Sequence, residues 1–132
     1  MGSGEQITMR EFISRANNAF ATIAPTSEDI VVIRKTNDYP SVRAMIEGKT
    51  GDTFTSKGYL ATTTRLSTVM WLQTNVYMEI LVPKGSRVLS DEAISGGSSE
   101  SEVVLNRNSK LTLLDAPVKD GGVWRLKLSL NA

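Results

Sequence analysis

The period of apolar positions changes along the chain, and each change marks an element. Met9, Phe12, Ile13, Ala16, Ala19, Phe20 and Ile23 recur at spacings of three and four, which lays one apolar stripe along a helix. Thr8 and Glu11 form a capping-box pattern at its start, Ile7 can staple onto Phe12, and Pro25 closes the segment. This helix is expected to lie as a lid over one face of a sheet. Ile30-Val31-Val32-Ile33 is β-branched and bounded by turn formers, the mark of a buried strand, with Arg34 at its end. Tyr39-Pro40 through Glu47 reads as a short helix closed by Gly48. Asp52 to Thr64 reads as extended chain broken at Gly58. Val76 to Val82 is a strand ended by Pro83, with Pro83-Lys84-Gly85 as a turn. Val88 and Leu89 begin a further short piece, and Leu111 to Leu114 another strand. Trp124, Leu126, Leu128 and Leu130 alternate with Arg125, Lys127 and Ser129, the period of a half-buried strand. Nothing repeats and no linker divides the chain, so the pattern predicts one α+β domain, mostly antiparallel sheet with a helix or two.

Composition narrows the chemistry more than the fold. The 132 residues make one ordinary domain, and a 40% hydrophobic, 22% charged chain has material for a core. Fifteen Lys and Arg face fourteen Asp and Glu, a net charge of +1, so no global field draws the chain to nucleic acid or an anionic membrane. Cys and His are both absent. Disulfides, thiolate zinc sites, Cys or His nucleophiles and a Ser-His-Asp triad are therefore excluded. Any catalysis must use carboxylates, hydroxyls, Lys, Arg and backbone groups. No apolar run approaches the roughly 20 residues of a membrane span. Met1-Gly2-Ser3-Gly4 lacks a signal-peptide core and reads as a cloning remnant in front of an excised domain.

Three places could carry chemistry. Glu100 and Glu102 are two apart where a strand begins, so both carboxylates face one side. Ser95-Gly96-Gly97-Ser98-Ser99, small and flexible, precedes them. Such a pair can divide labour, one proton-bearing and one ionised, although two Glu on a wet strand face are more often structural. Arg34 at a strand end can fork onto a pyrophosphate, or form a surface ion pair. Phe54 to Thr64 places an aromatic, a glycine and a cluster of hydroxyls within eleven residues. Hydroxyls can orient a carboxylate or a ribose; threonines in a row are also simple β-formers.

In order and spacing these blocks resemble the mono-ADP-ribosyltransferase toxins and effectors of the arginine, Ser-Thr-Ser-like, Glu-x-Glu class. Glu100-Ser101-Glu102-Val103-Val104-Leu105-Asn106-Arg107-Asn108-Ser109-Lys110 follows the family's last block. Met78-Glu79-Ile80-Leu81-Val82-Pro83-Lys84-Gly85-Ser86 resembles the strand and turn before its loop. The resemblance covers about residues 30 to 115. It implies the antiparallel core of that family with an N-terminal helix, a single catalytic domain over residues 5–132, and NAD as co-substrate with no metal.

Residue by residue, the resemblance implies that Arg34 holds NAD phosphate and the Lys35 backbone meets the nicotinamide amide. Phe54 packs near the nicotinamide, and Thr62 and Thr63 line the site behind Glu102. Glu102 is the central catalytic residue: it holds the nicotinamide ribose and stabilises the cation formed as nicotinamide leaves. Glu100 orients and deprotonates an acceptor guanidinium, so arginine of a target protein is the expected acceptor, and Ser98 and Ser99 lie where the target is contacted. Two departures stand out. Counted from Gly58, the hydroxyl triplet is Ala61-Thr62-Thr63, without the first serine that normally bonds the catalytic glutamate. The loop before Glu100 has Ser98 and Ser99 where many members carry an aromatic.

By the same resemblance the domain is a bacterial toxin or effector, secreted or injected to act in a target-cell cytoplasm, or a phage enzyme modifying host proteins. An immunity protein that plugs the NAD cleft is an expected partner, and a membrane is not. Three other readings stay open: an NAD glycohydrolase with water as acceptor, transfer to a nucleic acid (which the near-neutral charge disfavours), and a β-rich interaction domain without activity.

Overall fold

The structure is a computed structural model that describes residues 10–11, 14–15, 25–65, 70, 73–90 and 102–131. Its elements are β1 (Ile30–Thr36), α1 (Pro40–Ile46), β2 (Thr53–Thr55), β3 (Leu60–Thr63), β4 (Val76–Val82), β5 (Val88–Ser90), β6 (Glu102–Leu105), β7 (Lys110–Leu113), β8 (Val118–Asp120) and β9 (Val123–Leu130). Arg10, Glu11, Ser14 and Arg15 are helical and exposed, and the apolar stripe expected between Met9 and Ile23 lies outside the described residues.

The strands form one sheet in the order β2-β7-β9-β4-β1-β3-β6-β5, with β8 added alongside β9. Each pairing is antiparallel except β4 with β9, which run parallel from Val76↔Trp124 to Leu81↔Ser129. The α+β, β-rich expectation holds, with this parallel pair as the addition. β8 is a second addition: Val118-Lys119-Asp120 is exposed throughout and carries no apolar period. A two-residue turn places it, because Gly121 (φ 58°) and Gly122 (φ 83°) both take the left-handed backbone that such a hairpin requires.

Val32, Ile80 and Leu128 stand in one row across β1, β4 and β9, and each is fully buried. The same core cluster takes Leu111 and Leu113 from β7, Val103 and Leu105 from β6, and Val42 and Met45 from α1. Residues from both ends of the strand order thus meet in one core, so the sheet folds back on itself. The bend falls between β1 and β3. β1 is paired with β4 along its whole length but with β3 at Ile33↔Thr63 alone.

Two local devices hold this arrangement. α1 begins at Pro40, whose fixed φ suits the first helical position. At its other end a Cβ on Gly48 would lie 2.8 Å from the Phe54 ring and 3.1 Å from the Met45 carbonyl, so only glycine lets β2 approach. The loop after β1 is tied to the start of β4. The Asn75 amide accepts from the Asp38 N–H (3.0 Å) and donates to the Asp38 carboxylate (3.1 Å), while Arg43 pairs with that carboxylate and the Trp124 N–H bonds the Asn75 carbonyl (2.8 Å).

Candidate active site

Thr63, Glu102 and Arg34 lie about the bend. Thr63 faces Ile33 of β1 on one side and Glu102 of β6 on the other. Directly opposed residues share a sheet face, with Cβ atoms about 4.5–5.5 Å apart. Glu102, the first residue of β6, is half-buried beside a Thr63 that is only 5% exposed. Two strand spacings of about 4.8 Å separate Glu102 from the Ile33 position, and Arg34 is the next residue along β1.

Thr62 faces the other way. It pairs with Val103, is 4% exposed, and its hydroxyl donates to the Val103 carbonyl at 2.7 Å. Its hydrogen bond therefore fastens β3 to β6. The Thr63 hydroxyl accepts from the Arg65 N–H at 3.0 Å. The two threonines that the sequence treats alike thus hold different positions.

Arg34 lies on the core side of β1, opposite Met78. Its guanidinium crosses the bend and donates to the Ala61 carbonyl of β3 at 2.9 Å. Burial lowers its pKa from the ordinary arginine value. A guanidinium stays charged regardless, so the physical content is that a cation is held partly out of water, where an anion would relieve the cost. Alternation on a flat sheet would send Arg34 and Glu102 to opposite faces. At a junction of one residue pair the guanidinium instead emerges beside β3, the strand that also carries Thr63.

Lys35 pairs with Tyr77 and is half-buried on the face of Ile33. Phe54 is not in the row of paired residues that holds Thr63 and Glu102. It sits on β2, at the opposite end of the strand order from β5 and β6, with its ring packed over Gly48. Its strand partner is Leu111, and it packs against the core cluster that also takes Val103 and Leu105 of β6. Glu100, Ser98 and Ser99 lie outside the described residues.

A pocket of about 370 Å³ opens on β4 and β9, lined in part by Tyr77, Glu79, Asp115, Arg125 and Lys127. Burial and the neighbouring Glu79 raise the Tyr77 pKa, and Arg125 stacks 5.1 Å from the Tyr77 ring centre. Arg125 of this wall also pairs with Asp120 of β8, and Glu79 pairs with Ile33 in the row that leads to Thr63 and Glu102. Sequence reasoning missed this row and the Arg34–Ala61 bond, since both depend on strand register. Among the described residues no group of three or more acidic side chains gathers to hold a metal ion, and no helix is long and apolar enough to cross a membrane.

A family model described as ADP-ribosyltransferase exoenzyme matches residues 5–130. No curated protein sequence matches the chain. Among solved structures, the fold is similar to the Clostridium limosum C3 exoenzyme, with a TM-score of 0.72 and 18% identity over 91% of this chain and 67% of that one. It is similar to Plx2a, an ADP-ribosyltransferase toxin from Paenibacillus larvae, with a TM-score of 0.62 and 18% identity over 82% of this chain. The match spans 64% of the Plx2a chain. It is also similar to exoenzyme S from Pseudomonas aeruginosa, solved with human 14-3-3 protein beta and bound to carba-NAD. That match has a TM-score of 0.70 and 15% identity over 96% of this chain and 61% of the other.

Proposed function

Because the chain belongs to the ADP-ribosyltransferase exoenzyme family, we propose that it cleaves NAD and transfers ADP-ribose to a target protein, with Glu102 at the centre of the reaction. The observation that carries this reading is the bend: Glu102 opens β6 directly across from buried Thr63, and Arg34 reaches the same strand β3 from the other side. An extended dinucleotide laid over the bend would meet a cation at its pyrophosphate and a carboxylate at its nicotinamide ribose.

The chemistry follows from that placement. The bond from ribose C1′ to the nicotinamide nitrogen breaks, and nicotinamide leaves with the electron pair. Positive charge grows on the ribose, and a fixed carboxylate beside it stabilises that transition state. Glu102 accepts from the ribose 2′-hydroxyl and stands next to the developing charge. Arg34 holds the phosphates, the Lys35 backbone meets the nicotinamide amide, and Thr62 and Thr63 line the site on β3 behind Glu102, Thr62 by tying β3 to β6. The acceptor forms the new bond to C1′ and loses a proton. Glu100 is assigned to that proton, because a guanidinium with a pKa above about 12 needs a base beside it. Arginine is accordingly the proposed acceptor, with Ser98 and Ser99 at the target contact. The protein-bound state of exoenzyme S supports a protein partner, and an immunity protein over the NAD cleft fits the same reading. The proposed setting is a bacterial toxin or effector, secreted or injected and acting in a target cell.

The test incubates the domain with labelled NAD and a cell lysate, beside Glu102→Gln. Loss of preorganised charge stabilisation predicts a fall of about 10²–10³ in rate. Protein label that vanishes in the variant supports transfer. Nicotinamide release without label makes water the acceptor, and no NAD turnover sinks the proposal. Glu100→Ala should lose transfer to protein while keeping NAD hydrolysis; equal loss of both would remove the role given to Glu100.

A further inference from the structure

We propose that the pocket of about 370 Å³ on β4 and β9 docks a second basic side chain of the target, about four residues from the arginine that is modified. The inference rests on the reading of transfer to protein arginine given above, and it adds what selects the segment that carries that arginine.

The charges on the wall decide the sign of the occupant. Glu79, Asp115, Arg125 and Lys127 are its charged residues. Arg125 is already engaged: it pairs with Asp120 at 3.4 Å and lies over the Tyr77 ring. Two carboxylates and one ammonium remain, a net charge of −1 on the rest of the wall. Among the described residues, neither Glu79 nor Asp115 has an ion pair or a hydrogen bond. Lys127 stands directly opposite Glu79 without closing a salt bridge to it. Glu79 is half-buried, and its charge reaches the Tyr77 hydroxyl. A carboxylate partly removed from water without a partner is left uncompensated. A cation seated between Glu79 and Asp115 supplies the compensation.

Shape and distance narrow the occupant further. Tyr77 and Val118 add ring and methyl surface to the wall. The methylenes of an arginine or lysine can lie along that surface while the charged end meets the carboxylates. Glu79 pairs with Ile33, Ile33 with Thr63, and Thr63 with Glu102, all on one face. Three strand spacings of about 4.8 Å place the pocket about 14 Å along the sheet from Glu102. An extended chain advances about 3.3 Å per residue and returns its side chains to the same side at every second residue. A target segment laid across these strands therefore spans the distance in about four residues. Its second basic side chain then points the same way as the arginine at Glu102.

The test uses Gly-Ser peptides of about fifteen residues with a central arginine. A second arginine stands about two, four or six places away on either side, or alanine stands there. Peptide Kd is measured by calorimetry without NAD, and transfer of labelled ADP-ribose is measured beside it. A second arginine about four places away should bind about tenfold tighter than alanine, the effect of one charge-assisted contact partly screened by water. Glu79→Gln and Asp115→Asn should each remove most of that gain. Lys127→Gln takes away the competing cation and should increase it. Nicotinamide release into water should stay within about twofold in all three variants. A gain equal at every spacing, or one that survives both acidic substitutions, overturns the inference. So does a Lys127→Gln variant that weakens binding as the acidic substitutions do, which is the mark of a structural role. If Glu79→Gln does not fold, Asp115→Asn and Lys127→Gln carry the same test of opposite signs. Failure of the underlying reading looks different: peptides that bind in this pattern but take no label would support the docking site and remove arginine as the acceptor.

Discussion

Replacing Arg34 with methionine separates a cation kept for a ligand from one kept for the fold. Methionine preserves the unbranched stem and removes the charge. In the free protein the change loses one charge-assisted bond to the Ala61 carbonyl, 2.9 Å long, worth about 1.5–3 kcal/mol. It also removes a guanidinium that burial disfavours, and relief of that desolvation offsets the loss. That relief makes the net loss smaller than the bond alone, so unfolding free energy in denaturant should fall by less than about 3 kcal/mol. NAD has no such offset. Losing a forked contact to the pyrophosphate costs about 1.5–3 kcal/mol, a Kd roughly 10- to 100-fold weaker. Denaturant melts and NAD titrations on the same preparation read both quantities. A variant destabilised by several kcal/mol with unchanged NAD affinity would show that Arg34 serves the β1–β3 bend alone, and would refute the assignment of phosphate to it.

Two further outcomes test the scaffold. Gly48→Ala puts a methyl 2.8 Å from the Phe54 ring; it should cost about 1–3 kcal/mol in a denaturant melt, and an unchanged midpoint would mean that β2 shifts freely. The Asp38 pKa is lowered first by the Asn75 side-chain bond and then by the Arg43 charge. A carboxylate with a depressed folded pKa contributes stability that is present above its unfolded value, about 3.9, and is lost as pH falls through the folded value. Melting temperature should therefore drop below about pH 4, and Asn75→Ala should lower the plateau and flatten that acid limb. An acid limb of unchanged steepness would remove Asn75 as the cause.

β1, β4 and β9 were legible because their residues carry an unbroken signal. Ile30 to Ile33 is β-branched throughout, Pro83 ends β4 where expected, and Trp124 to Leu130 alternates without a slip. β8 was not, since three exposed residues have no apolar face to declare, although Gly121-Gly122 marks its turn. The parallel pairing of β9 with β4 left no trace because a period of two is the same for either direction. At the site, Arg34 and Glu102 could be singled out from residue types and order. The division between Thr62 and Thr63 could not, because a one-residue difference in register decides which threonine stands opposite Glu102. The packing of Phe54 over Gly48 was not legible either, because it depends on where β2 meets the end of α1.

The parallel pair also dictates an order of events during synthesis. β9 follows every other described strand, yet it lies between β7 and β4. Until it emerges, both flanking strands present unpaired edges, and the row that runs from β9 through Glu79 and Ile33 to Thr63 and Glu102 lacks its outermost member. Such edges are templates for wrong pairing, and contacts between distant parts of a chain close slowly. The part of the sheet from β2 to β5 therefore closes only when β9 joins β7 to β4 in its middle.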